Sequence, residues 1–473
     1  MNLLDFSDRK NKFIPLADVS PEYIKGLKQF VEKSSYYPAY HIAPPHGLMN
    51  DPNGLCQIDG WYHIFYQWFP LGPVHGLKHW YHLKTRDFIH YKDFGPAIIP
   101  DSDLDRDGCF TGAANEENGQ WFFYYTGVKD GIQQVVKARF DGDKTISDKT
   151  LVIPHDPNLT TNEFRDPVIY KNRYILVGSQ KLDKKGSICV FKKCGNSFEN
   201  LGFMSLHEDL AGYMIECPNL ISLDEKKDLL IFSPMGVGSP DRFTFRNVFS
   251  VAYGIGHFDS KNVNFDTDLY SEMDNGFDFY APQIFRDETD RVILLGWFGN
   301  SKCVYPSDAE QWAHMMTLPR SISYEGNKLC QKPLEELKGL RKEAQPLEKD
   351  QKLINGSFEL DLDPLTDFSI TLYNEAGEYL TFSGKEKEYC LDRAHSSHLY
   401  NEKYGQKRYG IRDLSKSQRL RIFVDRSAIE IFADNGFCVF TSRFYLDRLS
   451  GLKCQGAKGN LYYLRNLETE EIR

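Results

Sequence analysis

Three acidic residues stand in short polar motifs that could do chemistry. Asp51 lies in Asn50–Gly54 (NDPNG), Asp166 follows Arg165, and Glu216 precedes a Cys-Pro pair. Cleavage of a glycosidic bond needs a pair of carboxyl groups. One protonates the leaving oxygen, while the other attacks the sugar carbon or activates water. The two roles need different surroundings, since apolar neighbours raise the pKa of an acid and hydrogen-bond donors keep a carboxylate ionised.

The neighbours of these acids favour different roles. Apolar residues flank Glu216, which favours a general acid, whereas Asp51 lies in a predicted turn whose amides could hold an anion. Each acid also has a structural interpretation: Glu216 could form an ion pair with Arg165, the Asp51 motif could be only a turn, and Asp166 could pair with Arg165 or bind a hydroxyl. Only the placement of the motifs along the chain favours a shared site.

Other chemistries find no support in the sequence. It contains no G-x-S-x-G, H-E-x-x-H, Walker A or G-x-G-x-x-G motif. None of the ten cysteines forms a C-x-x-C pair, which argues against a zinc ribbon or a thioredoxin-like site. Cysteines this sparse predict reduced thiols and a cytosolic protein.

Five similar apolar and aromatic runs recur along the chain and predict the elements that position the acids. Their starts are 59, 53, 55 and 63 residues apart. The runs are Tyr62–Trp68, Trp121–Gly127, Tyr174–Gln180, Leu229–Gly236 and Val292–Gly299. A repeated β unit of this length, with turn residues between the runs, favours the blades of a β-propeller over a long irregular β-sandwich.

A polar motif precedes each run at a similar distance. The motifs are Asn50–Gly54, Cys109–Gly112, Arg165–Pro167, Glu216–Asn219 and Asp278–Gln283. Equivalent positions of successive propeller blades ring the central axis, and four of the motifs carry an acid. The sequence therefore predicts that several carboxylates converge on one axial pocket.

The predicted fold is all-β, with a different organisation at each end. Residues 1–36 form an N-terminal helical extension, in which Ser20 caps a helix that begins at Pro21. Residues 37–331 form a five-bladed β-propeller catalytic domain, 332–350 a linker, and 351–473 a β-sandwich that we expect to be structural or dimer-forming. The charged N-terminal residues are unlike a signal peptide. The net charge of −9 argues against a nucleic-acid or membrane partner. We expect a cytoplasmic protein that is a monomer or a homodimer.

Several ordered motifs resemble glycoside hydrolase family 32, the invertases and related β-fructofuranosidases. The resemblance spans essentially the whole chain. It rests on His41–Gly54, Phe65–Trp68, Phe164–Pro167, Glu216–Pro218, Asp278–Gln283 and the C-terminal stretch Val424–Phe432. It implies a five-bladed propeller followed by a β-sandwich, a retaining mechanism, and no metal or cofactor.

The resemblance also implies roles for individual residues. Asp51 would be the nucleophile that attacks the fructosyl C2, Glu216 the acid and then the base, and Asp166 a transition-state stabiliser that binds ring hydroxyls. The residues that match substrate-binding positions are Asn50, Gln67, His75, Phe110, Thr111, Arg165, Tyr280 and Trp297.

Two positions depart from the usual family pattern. Thr111 stands where many relatives have Ser, and His75 stands where many have a Trp that walls the fructose pocket. The stretch Val74–Trp80 is similar to that of bacterial sucrose-6-phosphate hydrolases. We predict that His75, Lys78 and His79 form a basic rim for a phosphorylated sugar; the alternative is that Lys78 is a solvated surface lysine.

The expected activity is therefore hydrolysis of a small-molecule sugar, sucrose 6-phosphate, by a β-fructofuranosidase. One alternative is a cytosolic hydrolase of sucrose or short fructo-oligosaccharides without a phosphate preference. Another, from a different class, is a non-catalytic fructan-binding propeller.

Overall fold

The computed structural model describes residues 2–400 and 403–472. Within them the chain is almost entirely β, with one α-helix, α1 (Pro21–Glu32). The predicted start of this helix is confirmed, since the Ser20 hydroxyl accepts a hydrogen bond from the Tyr23 amide at 3.2 Å. Short 3₁₀ helices lie at Arg9–Phe13, Leu16–Asp18, Glu208–Leu210, Pro306–Glu310, Glu335–Leu340 and Asp434–Gly436. Across the described residues, none of the helices has the length and hydropathy of a membrane-spanning segment.

The strands that precede the C-terminal region form successive antiparallel sheets. In the first, β1–β4 are Gly47–Ile58, Trp61–Phe69, His79–Thr85 and His90–Ile98. In the second, β5–β8 are Gly108–Glu117, Gln120–Lys129, Ile132–Phe140 and Ile146–Ile153. In the third, β9–β12 are Thr160–Tyr170, Tyr174–Lys181, Gly186–Cys194 and Ser197–Phe203.

Two further sheets continue this arrangement. In the fourth, β13–β17 are Met214–Ser222, Asp228–Met235, Ala252–Asp259, Asn264–Asp266 and Tyr270–Glu272. Strands β18–β23 are Tyr280–Arg286, Val292–Phe298, Trp312–Ala313, Met315–Met316, Arg320–Glu325 and Lys328–Pro333. All of these belong to the fifth sheet except β20, which pairs in parallel with β1.

The first strands of these sheets surround a common axis. Strand β1 contacts β5 and β18, β5 contacts β9, and β13 contacts both β9 and β18. This closed ring of contacts makes the fold a β-propeller, as predicted. The five apolar runs are the second strands of the sheets, β2, β6, β10, β14 and β19, so their assignment as strands is confirmed.

The polar motifs lie within the first strands, or run into them, and not in turns as predicted for Asn50–Gly54. Each first strand has a break in its pairing register at its motif. The breaks fall between Met49 and Pro52, Cys109 and Gly112, Arg165 and Val168, Glu216 and Asn219, and Tyr280 and Gln283. Such bulges turn side chains away from the regular alternation and are frequent next to active sites. Residue types that are typical of turns form bulges here, because turns and bulges both need unusual backbone angles.

The C-terminal region forms a β-sandwich-like unit built on a large sheet. Strands β24–β34 are Arg341–Pro346, Asp350–Lys352, Ser357–Tyr373, Tyr379–Lys385, Glu388–His395, Lys407–Ile411, Leu420–Asp425, Ala428–Ala433, Cys438–Arg443, Gly451–Leu464 and Glu468–Glu471. The long strand β26 pairs with β27, β30 and β33, while β34 returns to pair with β4 of the first sheet. Buried side chains such as Phe358, Leu360, Ile422 and Phe440 form its separate core.

The C-terminal motif Val424–Phe432 fixes the chain segment that leads into β1. The Asp425 carboxylate accepts hydrogen bonds from the amides of Ala39, Tyr40 and His41 at 2.8–3.1 Å. The His41 ring lies 2.9 Å from Asp425 and 3.1 Å from Glu430. Burial alone would lower the pKa of His41, but these two carboxylates raise it to about 9. The motif residues Asp425 and Glu430 therefore join the sandwich to the segment that leads into β1.

Candidate active site

A cavity of about 540 Å³ opens at the motif ends of the first strands. Ten of the eleven sequence-predicted site residues line it: Asn50, Asp51, Gln67, His75, Phe110, Arg165, Asp166, Glu216, Tyr280 and Trp297. The eleventh, Thr111, lies behind the wall, where its hydroxyl hydrogen-bonds Asp51 and Gln67. Residues that are far apart in the sequence therefore meet at one pocket, as the repeat predicted.

Asp51 is held in the floor of this pocket by hydrogen-bond donors. The Thr111 hydroxyl donates to its Oδ2 at 2.5 Å, and the Asn50 amide donates to its Oδ1 at 3.0 Å. Asn50 also donates to Gln67 at 2.8 Å, which fixes the orientation of its amide. Only 8% of Asp51 is exposed, and this burial raises its pKa, while the two donors act in the opposite direction.

Asp166 is positioned by a strained backbone. Its φ of +62° is uncommon for a residue with a side chain, and its amide donates to the Thr126 hydroxyl at 2.8 Å. Its Oδ2 accepts a hydrogen bond from the Cys217 amide at 2.9 Å. Such strain is often found at functional sites, where the surrounding structure holds an unfavourable conformation.

Cys217 links two of the acids and is a site residue that the sequence reasoning missed. Its Sγ lies 3.6 Å from Asp51 Oδ2 and 3.5 Å from Asp166 Oδ2. The Cys217 Sγ and one carboxylate oxygen of each aspartate all lie within 4.8 Å of one another. Burial raises the pKa of the Cys217 thiol, so it stays protonated and can donate to the carboxylates. Its position next to Glu216 in the motif was the one available signal.

Glu216 has one strong partner for each carboxylate oxygen. Arg165 donates to Oε1 through Nε at 2.9 Å, and a second guanidinium nitrogen lies 2.8 Å away. The Tyr280 hydroxyl donates to Oε2 at 2.7 Å. The apolar surroundings expected for Glu216 are therefore incomplete, and the ion pair with Arg165 that was the alternative is present. Arg165 itself is shared, because it also pairs with Glu163.

An aromatic wall completes the pocket. The rings of Tyr280 and Trp297 are 5.8 Å apart and meet edge to face, and Trp297 packs against His75 at 6.0 Å. Phe249 supports Tyr280 from behind at 5.5 Å. Aromatic faces of this kind cover the apolar C–H faces of ligands, while acids and amides bind hydroxyl groups. His75 therefore lies at the wall position that its motif predicted.

The predicted basic rim is wrong for His79, whereas His75 and Lys78 do line the cavity, with pKa values that burial lowers. His79 is buried away from the cavity with its Nδ1 3.0 Å from the Leu77 carbonyl, and burial lowers its pKa to about 4. Lys78 is only 4% exposed, so the surface-lysine alternative is wrong too. Its Nζ donates to Asn50 at 2.6 Å from within the pocket wall, and burial lowers its pKa to about 7. Strand β3, which begins at His79, is buried along its whole length, so its start at the pocket is inaccessible to solvent on both faces.

The N-terminal segment, predicted only as a helical extension, also forms part of the cavity wall. Other lining residues absent from the prediction are Arg9, Lys12, Phe13, Gly76, Gln133, Glu163, Met235 and Ser301. The basic stretch Arg9–Lys12 was a visible signal, but nothing in the sequence linked it to the pocket.

Replacement of Asp166 by asparagine should stabilise the protein more at high pH than at low pH. Burial raises the pKa of Asp166 from 3.8 to about 7, partly offset by Arg165. The folded state therefore holds a proton that the unfolded state releases above about pH 4. The stability that this proton gives is lost as the pH rises through about 7. Asparagine does not ionise, so the gain in unfolding free energy should be roughly 2–3 kcal/mol larger at pH 8 than at pH 5.

Urea unfolding of both proteins at the two pH values measures this difference. A matched control is Asp287→Asn, because Arg291 and other donors hold the pKa of Asp287 below its ordinary value despite some burial. That variant should lose stability by similar amounts at pH 5 and pH 8. An Asp166→Asn gain that is equal at both values would contradict the assigned environment.

Comparison with known proteins supports the family resemblance that these motifs suggested. The model of the glycosyl hydrolases family 32 N-terminal domain matches residues 41–333, and that of the family 32 C-terminal region matches 326–461. The chain is 39% identical over 433 residues to a sucrose-6-phosphate hydrolase of Vibrio alginolyticus, covering 89% of this chain and 88% of that protein.

Two solved structures share the whole architecture. The sucrose-6-phosphate hydrolase of Lactobacillus gasseri superposes with a TM-score of 0.91 at 30% identity, covering 97% of this chain and 99% of that one. A variant of the Bombyx mori GH32 β-fructofuranosidase in complex with sucrose gives 0.82 at 25% identity, covering 99% and 100%. Since the two family models together match most of the chain, this protein belongs to the glycosyl hydrolases of family 32.

Proposed function

We propose that this protein is a retaining β-fructofuranosidase that hydrolyses sucrose 6-phosphate and releases fructose. The observation that carries the proposal is the convergence of Asp51, Asp166 and Glu216, from three different sheets, on one pocket. Two working carboxyl groups with different partners match the needs of glycoside hydrolysis. The named activity of the Vibrio alginolyticus and Lactobacillus gasseri relatives supports this substrate.

In the first step, Asp51 attacks the anomeric C2 of the fructosyl group. The bond from C2 to the glycosidic oxygen breaks, a bond from C2 to Asp51 forms, and Glu216 gives its proton to the departing oxygen. The Thr111 hydroxyl and the Asn50 amide hydrogen-bond the Asp51 carboxylate, which favours its ionised form and aims it. Positive charge that develops at the sugar faces the carboxyl groups of Asp51 and Asp166.

In the second step, Glu216 accepts a proton from water, which attacks C2 and frees Asp51. The Tyr280 hydroxyl and the Arg165 guanidinium hold Glu216 in one orientation through both steps. Asp166, fixed by the Cys217 amide, accepts hydrogen bonds from ring hydroxyls. Gln67, Phe110, His75 and Trp297 enclose the fructosyl group.

We also propose that the propeller has five blades and occupies residues 37–331. The support is the ring of contacts among β1, β5, β9, β13 and β18, each the first strand of one sheet. Residues 1–36 are an extension and the C-terminal residues a sandwich. We place the start of that sandwich at Arg341, within the expected linker 332–350, because β24 pairs with β33.

The proposed compartment is the cytoplasm. All ten cysteines lie in the described part of the chain, and all are free. Free thiols are typical of a reducing compartment, and a phosphorylated sugar is made and consumed inside cells. We propose a monomer or homodimer whose partner is the sugar alone, with no nucleic acid or membrane.

The ratio of kcat/KM for sucrose 6-phosphate to that for sucrose tests the proposed substrate. We expect a ratio of at least about tenfold, because the phosphate carries about −1.5 to −2 charges at neutral pH and cations line the pocket. Sucrose is the natural comparison, since the Bombyx mori relative was solved with sucrose bound. Equal values would contradict the phosphate preference, and hydrolysis of neither sugar would contradict the β-fructofuranosidase.

A further inference from the structure

The N-terminal segment forms part of the pocket mouth. Residues Arg9–Phe13 make a 3₁₀ helix, and the side chains of Arg9, Lys12 and Phe13 line the cavity that holds the acids. Arg9 is exposed and lies over the Phe13 ring at 5.6 Å, and Lys12 is half-buried. Two cations from outside the propeller sheets therefore face the site.

This segment is anchored to the propeller. The Leu77 amide donates to the Lys12 carbonyl at 2.7 Å, and a Cβ atom on Gly76 would lie 2.7 Å from that same oxygen. The absence of a side chain at Gly76 thus permits the close approach. The Phe6 ring packs edge-on against Phe69 at 5.7 Å. These contacts hold the backbone that carries the two cations in place before a ligand binds, which reduces the entropy lost on binding.

The other cations of the pocket are already engaged. Arg165 pairs with Glu163 and Glu216, and Lys78 is buried with its Nζ bonded to Asn50. By contrast, Arg9 and Lys12 have no carboxylate within ion-pair distance among the residues that the structure describes. The nearest acid in the segment, Asp8, accepts instead from the Lys10 amide at 3.0 Å.

The exposure of the lining residues indicates which sugar of the substrate lies deep in the pocket and which lies at its mouth. Asp51 is 8% exposed and the Glu216 side chain 20%, whereas Arg9 is exposed at the mouth. A fructosyl group that reaches Asp51 places the glycosidic oxygen at Glu216 and the glucosyl group toward the mouth. In sucrose 6-phosphate the phosphate is on that glucosyl group, so it lies on the side of Arg9 and Lys12.

We propose that Arg9 and Lys12 bind the phosphate of the glucosyl 6-phosphate group and so determine the preference for the phosphorylated sugar. This inference rests on the proposed function. An arginine presents a planar fork that matches two phosphate oxygens, while a lysine adds a mobile point charge. Both groups act on the leaving sugar.

The test is the double variant Arg9→Gln/Lys12→Gln, assayed with both sugars. We expect the ratio of kcat/KM for sucrose 6-phosphate to that for sucrose to fall about 10- to 100-fold, mainly through KM. Inhibition of sucrose hydrolysis by glucose 6-phosphate should weaken by a similar factor, whereas inhibition by glucose should not. A misfolded variant would lower both activities together and leave the ratio unchanged.

Two further variants make the result specific. Lys10→Gln removes an exposed cation of the same helix that does not line the cavity, and it should leave the ratio unchanged. The charge-conserving Arg9→Lys/Lys12→Arg should restore most of the preference. If the wild-type protein prefers the phosphorylated sugar and the double glutamine variant keeps that preference, this inference is wrong while the proposed function stands. A wild-type protein without the preference would contradict the proposed substrate itself.

Discussion

Asp51→Asn should lower kcat by at least about 10⁴-fold on sucrose 6-phosphate, which is the largest effect that we expect of any single substitution. An amide has almost the shape of the carboxylate but lacks the charge and nucleophilicity needed to form the fructosyl-enzyme. The fold should survive, because burial raises the pKa of Asp51 and its charged form is therefore costly to bury. Asparagine removes that cost, so the Tm should stay equal or rise.

Steady-state kinetics and thermal unfolding of the same preparation check this result. Asp287→Asn is a matched control, since Asp287 is also a buried acid but belongs to an ion pair with Arg291 outside the cavity. The control should show the reverse pattern, with a lower Tm and a kcat within about twofold of the wild type. If Asp51→Asn keeps a tenth or more of the wild-type kcat, Asp51 is not the nucleophile.

Glu216→Gln should lower kcat by about 10²- to 10⁴-fold, the usual contribution of a general acid or base. Glutamine can still hydrogen-bond the Tyr280 hydroxyl, but it cannot give a proton to the glycosidic oxygen or accept one from water. The loss should depend on the leaving group. An aryl β-fructofuranoside with an acidic phenol needs little protonation, so its first step should stay fast in this variant.

Rapid mixing of Glu216→Gln with that aryl substrate should therefore give a burst of phenol followed by slow turnover. Mass spectrometry should detect the accumulated fructosyl-enzyme, and azide should accelerate its breakdown because this nucleophile needs no base. Asp51→Asn should show neither the burst nor the acceleration. A Glu216→Gln variant that loses activity equally on both kinds of substrate would contradict its role as the acid.

The sequence predicted the position of these acids because the propeller is a repeat. The motifs occur at similar offsets before strands β2, β6, β10, β14 and β19, and the same offset in a repeated unit means the same place around the axis. Asp51, Asp166 and Glu216 could be grouped for that reason alone, without any contact being known.

The local conformation at these motifs could not be predicted in the same way. Asn50–Gly54 has the composition of a turn, but it forms bulges in β1 because pairing with β2 continues before and after it. The bulge is what directs Asp51 into the cavity. Short-range propensity does not separate a turn from a bulge, since both use residues that tolerate unusual backbone angles.

The charges of the site depended on tertiary structure even more. Lys78 and His79 look like a basic rim in the sequence, yet burial lowers the pKa of Lys78 to about 7 and that of His79 to about 4. Arg9 and Lys12 belong to a charged N-terminal stretch that no motif linked to the site, yet they line the cavity that holds Glu216.

By itself, then, the sequence determined the family, the propeller and sandwich architecture, and the grouping of the three acids. Each of these follows from residue identity and from the spacing of the repeat. Only the tertiary structure decided which cations are buried, which are paired and which face the ligand. These properties depend on segments far apart in the chain folding over one another, such as Arg9–Phe13 against the loop at Gly76. The acids can thus be predicted from the sequence, whereas the groups that select the phosphorylated sugar require the fold.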